Sequence, residues 1–396
     1  MNNLPVKKKI LILFGTRPEI IKFAPIIREL KAQPEYFETV IVSSGQHTDL
    51  LIPFLSNFEI VPDFDLNVMT SGQTPSEVCA RVMTALDKIL CEEKPQVVLV
   101  QGDTSSALAG AIAAFHRKIP VGHVEAGLRS GDPTSPFPEE MNRRLISQVA
   151  AFHFAATGHN LETLVNEGVS PDSVFLTGNT VVDSLNHILE NFAPGEKIKN
   201  LLTETVGFKR ILLTTHRREN FGEVMSGNLK VLRSFIENNP DVCLLFPVHP
   251  NPAVRAATRE VLSDHPRIYL IDPLDYADFV HMLANAWLIV SDSGGVQEEA
   301  PSLGKPLLVL RENTERPEAL WSGVAKLVGN DPEKFAIMLE ENYRDGSWIN
   351  SVKKIANPFG DGTAAQQITE ILKNSLPNGS LPDDAKALEL EIAAIS

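Results

Sequence analysis

The chain is poor in the features that mark secreted, nucleic-acid-binding or membrane-embedded proteins. Its 396 residues hold only three cysteines, Cys79, Cys91 and Cys243. They are odd in number, far apart and without a paired C-x-x-C spacing, which argues against a disulfide framework and a zinc site and fits a reducing compartment. Positive charge is scarce as well: the formal net charge is −14, and no basic stripe with interleaved aromatics offsets it locally, so nucleic acid is not an expected partner. No stretch approaches the roughly 18 consecutive apolar residues of a membrane span. Lys7-Lys8-Lys9 and the apolar run behind them resemble the start of a signal peptide, but the run stops at Gly15 after a strand's length and no cleavage site follows. The expected location is therefore cytoplasmic, with no membrane partner. Walker A, G-x-G-x-x-G, H-E-x-x-H and G-x-S-x-G sequences are also missing, which argues against NTPases, nicotinamide enzymes, zinc proteases and serine hydrolases. Neither a metal nor a cofactor is expected.

What is present is the composition of a folded protein, 43% hydrophobic and 22% charged, in a chain long enough for two cores. Short Val/Ile/Leu-rich runs alternate with longer amphipathic stretches, the pattern of parallel sheets covered by helices on both faces. The first series of runs is Lys9 to Phe14, Thr39 to Ser43, Val97 to Val100, Val121 to His123, Phe152 to Ala155 and Val174 to Leu176. The second is Ile211 to Thr214, Val242 to Phe246, Ile268 to Ile271, Leu288 to Val290 and Leu307 to Leu310. Between them Ala193-Pro194-Gly195-Glu196-Lys197 reads as a linker, and Leu376-Pro377-Asn378-Gly379-Ser380 as a loop before a short tail. The expected fold class is α/β, with two Rossmann-like domains and a central cleft. The domains are expected at 1–180 and 195–360, followed by a helix at 361–374 and a tail at 375–396.

In open α/β sheets ligands bind outside the carboxyl ends of the strands, so the residues directly after each apolar run carry the functional information. Those positions here are Gly15-Thr16-Arg17-Pro18-Glu19 with Lys22 one turn on, Gln101-Gly102-Asp103-Thr104, and His123-Val124-Glu125. In the second half they are Thr215-His216-Arg217, Ser291-Asp292-Ser293-Gly294-Gly295, and Arg311 with Thr314-Glu315-Arg316-Pro317. Glycines at Ser293-Gly294-Gly295 let backbone amides approach a phosphate at a helix N-terminus, although an ordinary strand-to-helix turn reads the same way. Glu299, one turn on, could accept from a ribose diol. Arg17, Lys22, His216 and Arg217 could neutralise a pyrophosphate leaving group without a metal, or stand as surface cations. Asp103, Glu125 and Glu139 form a set of carboxylates suited to acid/base work if they raise one another's pKa; the alternative is that they cap helices or pair with Arg129 and Arg143. Glu139 lies in the proline-fixed segment Pro136-Phe137-Pro138.

Taken together, these segments resemble the non-hydrolysing UDP-N-acetylglucosamine 2-epimerases, from about Lys9 to Leu372. The resemblance rests on Gly15-Thr16-Arg17-Pro18-Glu19, Gln46-His47, Gln101-Gly102-Asp103-Thr104, His123-Val124-Glu125-Ala126-Gly127-Leu128-Arg129, Thr215-His216-Arg217, Asp292-Ser293-Gly294-Gly295 and Thr314-Glu315-Arg316-Pro317-Glu318. It implies a glycosyltransferase-B-like architecture, commonly a homodimer, whose last helix crosses back to the first domain. It also implies reversible C2 inversion of UDP-GlcNAc to UDP-ManNAc through elimination and re-addition of UDP, by way of 2-acetamidoglucal, for surface polysaccharide synthesis. By motif correspondence Asp103, Glu125, Glu139 and His216 would be catalytic. Arg17, Lys22 and His216 would contact phosphate, Ser293, Gly294 and Gly295 would form the phosphate turn, and Glu299 would hold the ribose. Arg316 would be a further substrate contact and Phe279 would pack on uracil beside Leu274, which stands where some members have Gln. Gln46 and His47 resemble part of a second nucleotide-sugar site used for activation in some members. A hydrolysing relative that releases ManNAc and UDP, or a glycosyltransferase of the same architecture, are the alternatives.

Overall fold

The computed structural model of the chain describes residues 7–45, 55, 58–70, 72–215 and 222–377. It divides into two compact units, one formed by Met1–Ser184 with Gly360–Ser396 and the other by Leu185–Phe359. The chain passes from the first to the second inside the helix Thr180–Asn191, and a break follows that helix before the helix Glu196–Glu204.

Unit 1 is built on seven strands: β1 (Lys8–Phe14), β2 (Phe37–Ser43), β3 (Phe64–Asp65), β4 (Val97–Gln101), β5 (Val121–Ala126), β6 (Phe152–Ala155) and β7 (Val174–Leu176). Every pairing is parallel, in the order β3-β2-β1-β4-β5-β6-β7. Ile10 to Phe14 and Val97 to Val100 are fully buried, as expected of strands covered on both faces. Helix starts are marked locally: Thr16 and Thr74 each open a capping box with a glutamate three residues on, and a proline stands within the first two helical positions.

Unit 2 repeats the plan with β8 (Lys209–Thr214), β9 (Val242–Pro247), β10 (Ile268–Ile271), β11 (Leu288–Ser291), β12 (Leu307–Val309) and β13 (Ala325–Leu327). Its order is β10-β9-β8-β11-β12-β13, again all parallel. Both sheets therefore run outward in both directions from a central pair, β1/β4 and β8/β11. That reversal is the topological switch point at which doubly wound folds bind ligands. The two-residue β3 and three-residue β13 were not expected from sequence, because neither carries an apolar run long enough to read.

The last described helix, Ala364–Ser375, belongs to unit 1 and packs against Arg17–Lys31. Asp183 holds its start by accepting from Ala365 N at 2.9 Å. Lys373 lies over the Tyr36 ring at 3.6 Å, and Lys8 donates to the Lys373 carbonyl. Among the described residues no helix is long and apolar enough to cross a membrane.

Candidate active site

At the switch point of unit 1, β1 ends at Phe14 and the chain turns through Gly15 and Thr16 into its helix. Arg17, exposed, is the first residue of that helix. Glu19 is buried beneath the turn. Its Oε2 accepts from Gly15 N (3.0 Å), Thr16 N (2.6 Å) and Thr16 Oγ1 (2.7 Å), and its Oε1 accepts from Thr104 Oγ1 (2.9 Å), beyond β4. One carboxylate thus ties the two turns of the switch point together. Burial pushes it up to about 6 against the opposing pull of its Thr16, Thr104 and Gly15 donors.

Glu125 sits where β5 is irregular. The expected strand ended at His123; the observed one continues to Ala126, and its pairing with β6 shifts register between Val124 and Ala126. Glu125 takes φ +64°, a left-handed conformation that costs a side-chain-bearing residue about 1–2 kcal/mol. The twist carries its carboxylate inward, to 5% side-chain exposure, where Lys22 pairs with Oε1 and Gln101 Nε2 donates to Oε2. Asn179 Nδ2 approaches Oε1 at 3.5 Å. Lys22, placed on the substrate phosphate by the family resemblance, is itself buried and engaged with Glu125.

Asp103 follows β4, the strand beside β5. Gly102, at φ +67°, makes the turn that presents it, a conformation that favours glycine. Arg143 grips Asp103 Oδ2 through Nη2 (2.7 Å) and Nε (2.8 Å), and Asn142 Nδ2 donates to the Asp103 carbonyl at 2.8 Å. Both partners lie on the helix Glu139–Val149, whose half-buried first residue is Glu139. The start of that helix is therefore drawn to Asp103. Asp103 pairs with Arg143, which also binds buried Glu140 at 2.9 Å, and Glu125 pairs with Lys22. Arg129, the other sequence candidate for a partner, binds Glu167 at 2.7 Å. His123 lies fully buried with Nε2 2.8 Å from the Gly102 carbonyl, and Nδ1 has no partner. Burial lowers it to about 3, partly opposed by that carbonyl, so the ring is neutral and donates to the turn before Asp103.

At the switch point of unit 2, Ser293 precedes the helix Gly294–Ser302 and makes no side-chain cap to its first amides. Those first-turn N–H groups lack intrahelical acceptors and suit an anion. Ser291 Oγ accepts from Ser293 N at 2.9 Å and meets Thr214 Oγ1 at 2.6 Å, while buried Asp292 accepts from Thr215 Oγ1 at 2.8 Å. The ends of β8 and β11 are thereby fixed to each other. Arg316, 8% exposed, donates to Glu298 Oε1 (2.5 Å) and Glu315 Oε1 (2.6 Å), and Arg311 pairs with Glu315 Oε2 at 2.8 Å. Burial alone raises the Glu315 carboxyl, but Arg316 and Arg311 outweigh it and hold the group well below the usual carboxylate range. Thr314 Oγ1 donates to Gln297 Oε1 at 2.6 Å, joining the loop after β12 to the same helix. Glu299 is buried and accepts from Tyr276 Oη at 3.0 Å. Leu274 and Phe279, both half-buried, stand after β10, in its loop and on the helix Tyr276–Ala284.

Of the residues selected from sequence, Arg17, Lys22, Asp103, Glu125 and Glu139 gather at the carboxyl edge of the unit 1 sheet. Leu274, Phe279, Ser293, Gly294, Gly295, Glu299 and Arg316 lie at that of unit 2. His216, Arg217, Gln46 and His47 fall outside the described residues. Gln101, Asn179, Glu298, Glu315 and Tyr276 were given no role of their own from sequence, yet each contacts a residue that was given one. Among the described residues no three His, Cys, Asp or Glu side chains are arranged to hold a metal ion.

Two doubly wound sheets of this order, with charged and glycine-bearing turns at their switch points, define an α/β enzyme of the nucleotide-binding kind. A family profile described as UDP-N-acetylglucosamine 2-epimerase matches residues 28–373. The UDP-N-acetylglucosamine 2-epimerase of Escherichia coli K12 is 43% identical over 372 residues, which cover 93% of this chain and 99% of the relative. That of Bacillus subtilis 168 is 44% identical over 367 residues, covering 92% and 95%. The crystal structure of UDP-GlcNAc 2-epimerase from Neisseria meningitidis bound to UDP-GlcNAc superposes with a TM-score of 0.85 at 40% identity, covering 92% of this chain and 99% of that one. The chain belongs to the UDP-N-acetylglucosamine 2-epimerase family. It is an isomerase with an α/β fold of two Rossmann-like units, of the glycosyltransferase-B-like type.

Proposed function

We propose that the protein interconverts UDP-GlcNAc and UDP-ManNAc without releasing free sugar, by anti elimination of UDP to 2-acetamidoglucal and its re-addition. Unit 2 holds the UDP portion: the Ser293-Gly294-Gly295 turn takes the diphosphate, Glu299 the ribose, Arg316 a further substrate oxygen, and Phe279 with Leu274 the uracil. Arg17, Lys22 and His216 supply positive charge to the leaving diphosphate, and Asp103, Glu125, Glu139 and His216 form the catalytic set. The C2 hydrogen has no neighbouring carbonyl to acidify it, so departure of a neutralised diphosphate must accompany its removal by a carboxylate. Inversion then needs a proton delivered to the opposite face, hence a second acid/base group.

The observation that carries this reading is the pair of cation-bound carboxylates, Glu125 with Lys22 and Asp103 with Arg143, at the ends of adjacent parallel strands. The substrate complex of the Neisseria relative supports the choice of UDP-GlcNAc. Family resemblance further supports a cytoplasmic homodimer that supplies UDP-ManNAc for surface polysaccharide synthesis. Incubation with UDP-GlcNAc in deuterated water, followed by NMR of the anomeric protons, tests the chemistry. Epimerised UDP-sugar carrying deuterium at C2 is the expected result. Free ManNAc would instead identify a hydrolysing enzyme, and absence of C2 exchange would remove the elimination route.

A further inference from the structure

We propose that Gln101 is a positioning residue for Glu125, fixing the plane of its carboxylate and serving both of its protonation states. This rests on the reading of Glu125 as an acid/base group. The two side chains meet because of the strand register. Gln101, the last residue of β4, pairs with Val124 across the ladder, and Gly102 N donates to the Val124 carbonyl at 3.0 Å. The next residue on β5 is Glu125, turned inward by its left-handed backbone. Gln101 is 3% exposed and Glu125 7%, so water does not compete freely for the contact.

A buried carboxylate with one cationic partner is neutralised but not oriented, since a single ammonium on Oε1 leaves the group able to rotate about its terminal bond. Gln101 supplies a donor to the other oxygen, Oε2. Lys22 on one oxygen and Gln101 on the other define the carboxylate plane, and with it the lone pairs directed at a reacting hydrogen. Asn179 adds a third contact at 3.5 Å, with its own carbonyl oxygen occupied by Val181 N at 3.0 Å. Chemistry separates the two main partners further. An ammonium has donors only, whereas an amide carries both a donor and an acceptor. When Glu125 receives a proton, rotation of the Gln101 amide by half a turn lets its oxygen accept the new O–H. Removal of the proton is met by the reverse rotation, so Glu125 keeps a hydrogen-bond partner in either state.

The test compares wild-type enzyme with Gln101→Met and Glu125→Gln in full pH profiles of kcat and KM for UDP-GlcNAc. Met keeps the volume of Gln without donor or acceptor. The bond donated to the ionised form is charge-assisted and stronger than the one accepted from the protonated form, so losing both makes ionisation harder and the acid limb of the Gln101→Met profile should move upward by about half a pH unit or more. Its kcat should fall about ten- to a hundred-fold, with KM within about three-fold and the UDP dissociation constant unchanged. A wild-type kcat and profile in Gln101→Met, beside an inactive Glu125→Gln, would overturn the positioning role and leave the acid/base reading standing. So would a lowered kcat with an unmoved acid limb and a depressed melting temperature, which is the mark of a merely structural side chain. Full activity in Glu125→Gln would instead remove the acid/base reading, and this inference with it.

Discussion

Arg316 lies so close to Gly294 that a Cβ built on the glycine would stand 2.7 Å from Nη1 and 3.0 Å from Cζ. Glycine there is required by the guanidinium pressed against the proposed phosphate turn. The guanidinium cannot retreat freely, because Glu298 and Glu315 hold it at 2.5 and 2.6 Å. Gly294→Ala should therefore displace one of the two groups proposed to bind substrate. The expected result is a rise of about ten-fold or more in KM and in the UDP dissociation constant, at an overpacking cost of about 1–3 kcal/mol. Calorimetric titration with UDP checks it, and unchanged affinity would show that the turn does not hold the diphosphate.

Asp103→Asn keeps the shape of the side chain, and the backbone carbonyl gripped by Asn142 is untouched. The variant should bind UDP normally and lose turnover by about a hundred- to ten-thousand-fold, the usual scale of an acid/base group. Single-turnover incubation in deuterated water measures the loss at C2 directly. Normal exchange would reassign the proton transfer to Glu125, Glu139 or His216.

Removing Glu315 should be costly to the fold itself. Its carboxylate lies between Arg311 and Arg316, all three nearly buried. Glu315→Ala leaves two guanidiniums without their shared counter-charge, and loss of one partner of a buried pair typically destabilises by about 3–5 kcal/mol. Denaturant unfolding of the variant gives the value; a change under about 1 kcal/mol would mean that the arginines find other partners.

His123 gives the stability a pH dependence of known sign. Its folded value, about 3, lies below its ordinary 6.5, so the unfolded chain binds the extra proton first. The stabilisation from keeping this ring neutral is complete above pH 6.5 and is lost as pH falls from there toward 3. Glu19 works in the opposite sense: held up to about 6 from 4.5, it favours the fold below 4.5 and gives up that contribution as pH rises through 6. A His123→Gln variant should lose stability less steeply than wild type between pH 6.5 and 4. Urea midpoints across that range test the difference, and parallel curves would count against a buried neutral imidazole.

Much of this layout is legible in the sequence itself. The apolar runs marked eleven of the strands, and the residues after them, from Arg17 and Asp103 to Ser293, stand at the two switch points. What was not readable is the pairing. Lys22 and Glu125 are separated by 103 positions and Asp103 and Arg143 by 40, and nothing local to either residue announces the other. Glu125 was expected beyond its strand and lies within it, because a charged residue near a strand end reads as a loop unless its buried partners are known. Gln101 looks like an ordinary polar strand ending for the same reason. Its meaning comes from the neighbouring strand, through a register that sequence spacing does not encode.

The helix Ala364–Ser375 carries a consequence for how the chain is made. Unit 1 is interrupted in sequence by all of unit 2, and the cover for its first helix, Arg17–Lys31, is written near the other end of the polypeptide. During synthesis at about 5–20 residues per second, that helix waits for a time on the order of tens of seconds with its apolar flank uncovered. Leu185–Phe359, a continuous stretch, is complete before that helix begins. The segment synthesised second is thus able to mature first, and deletions near residue 370 should injure Met1–Ser184 rather than the part that directly precedes them.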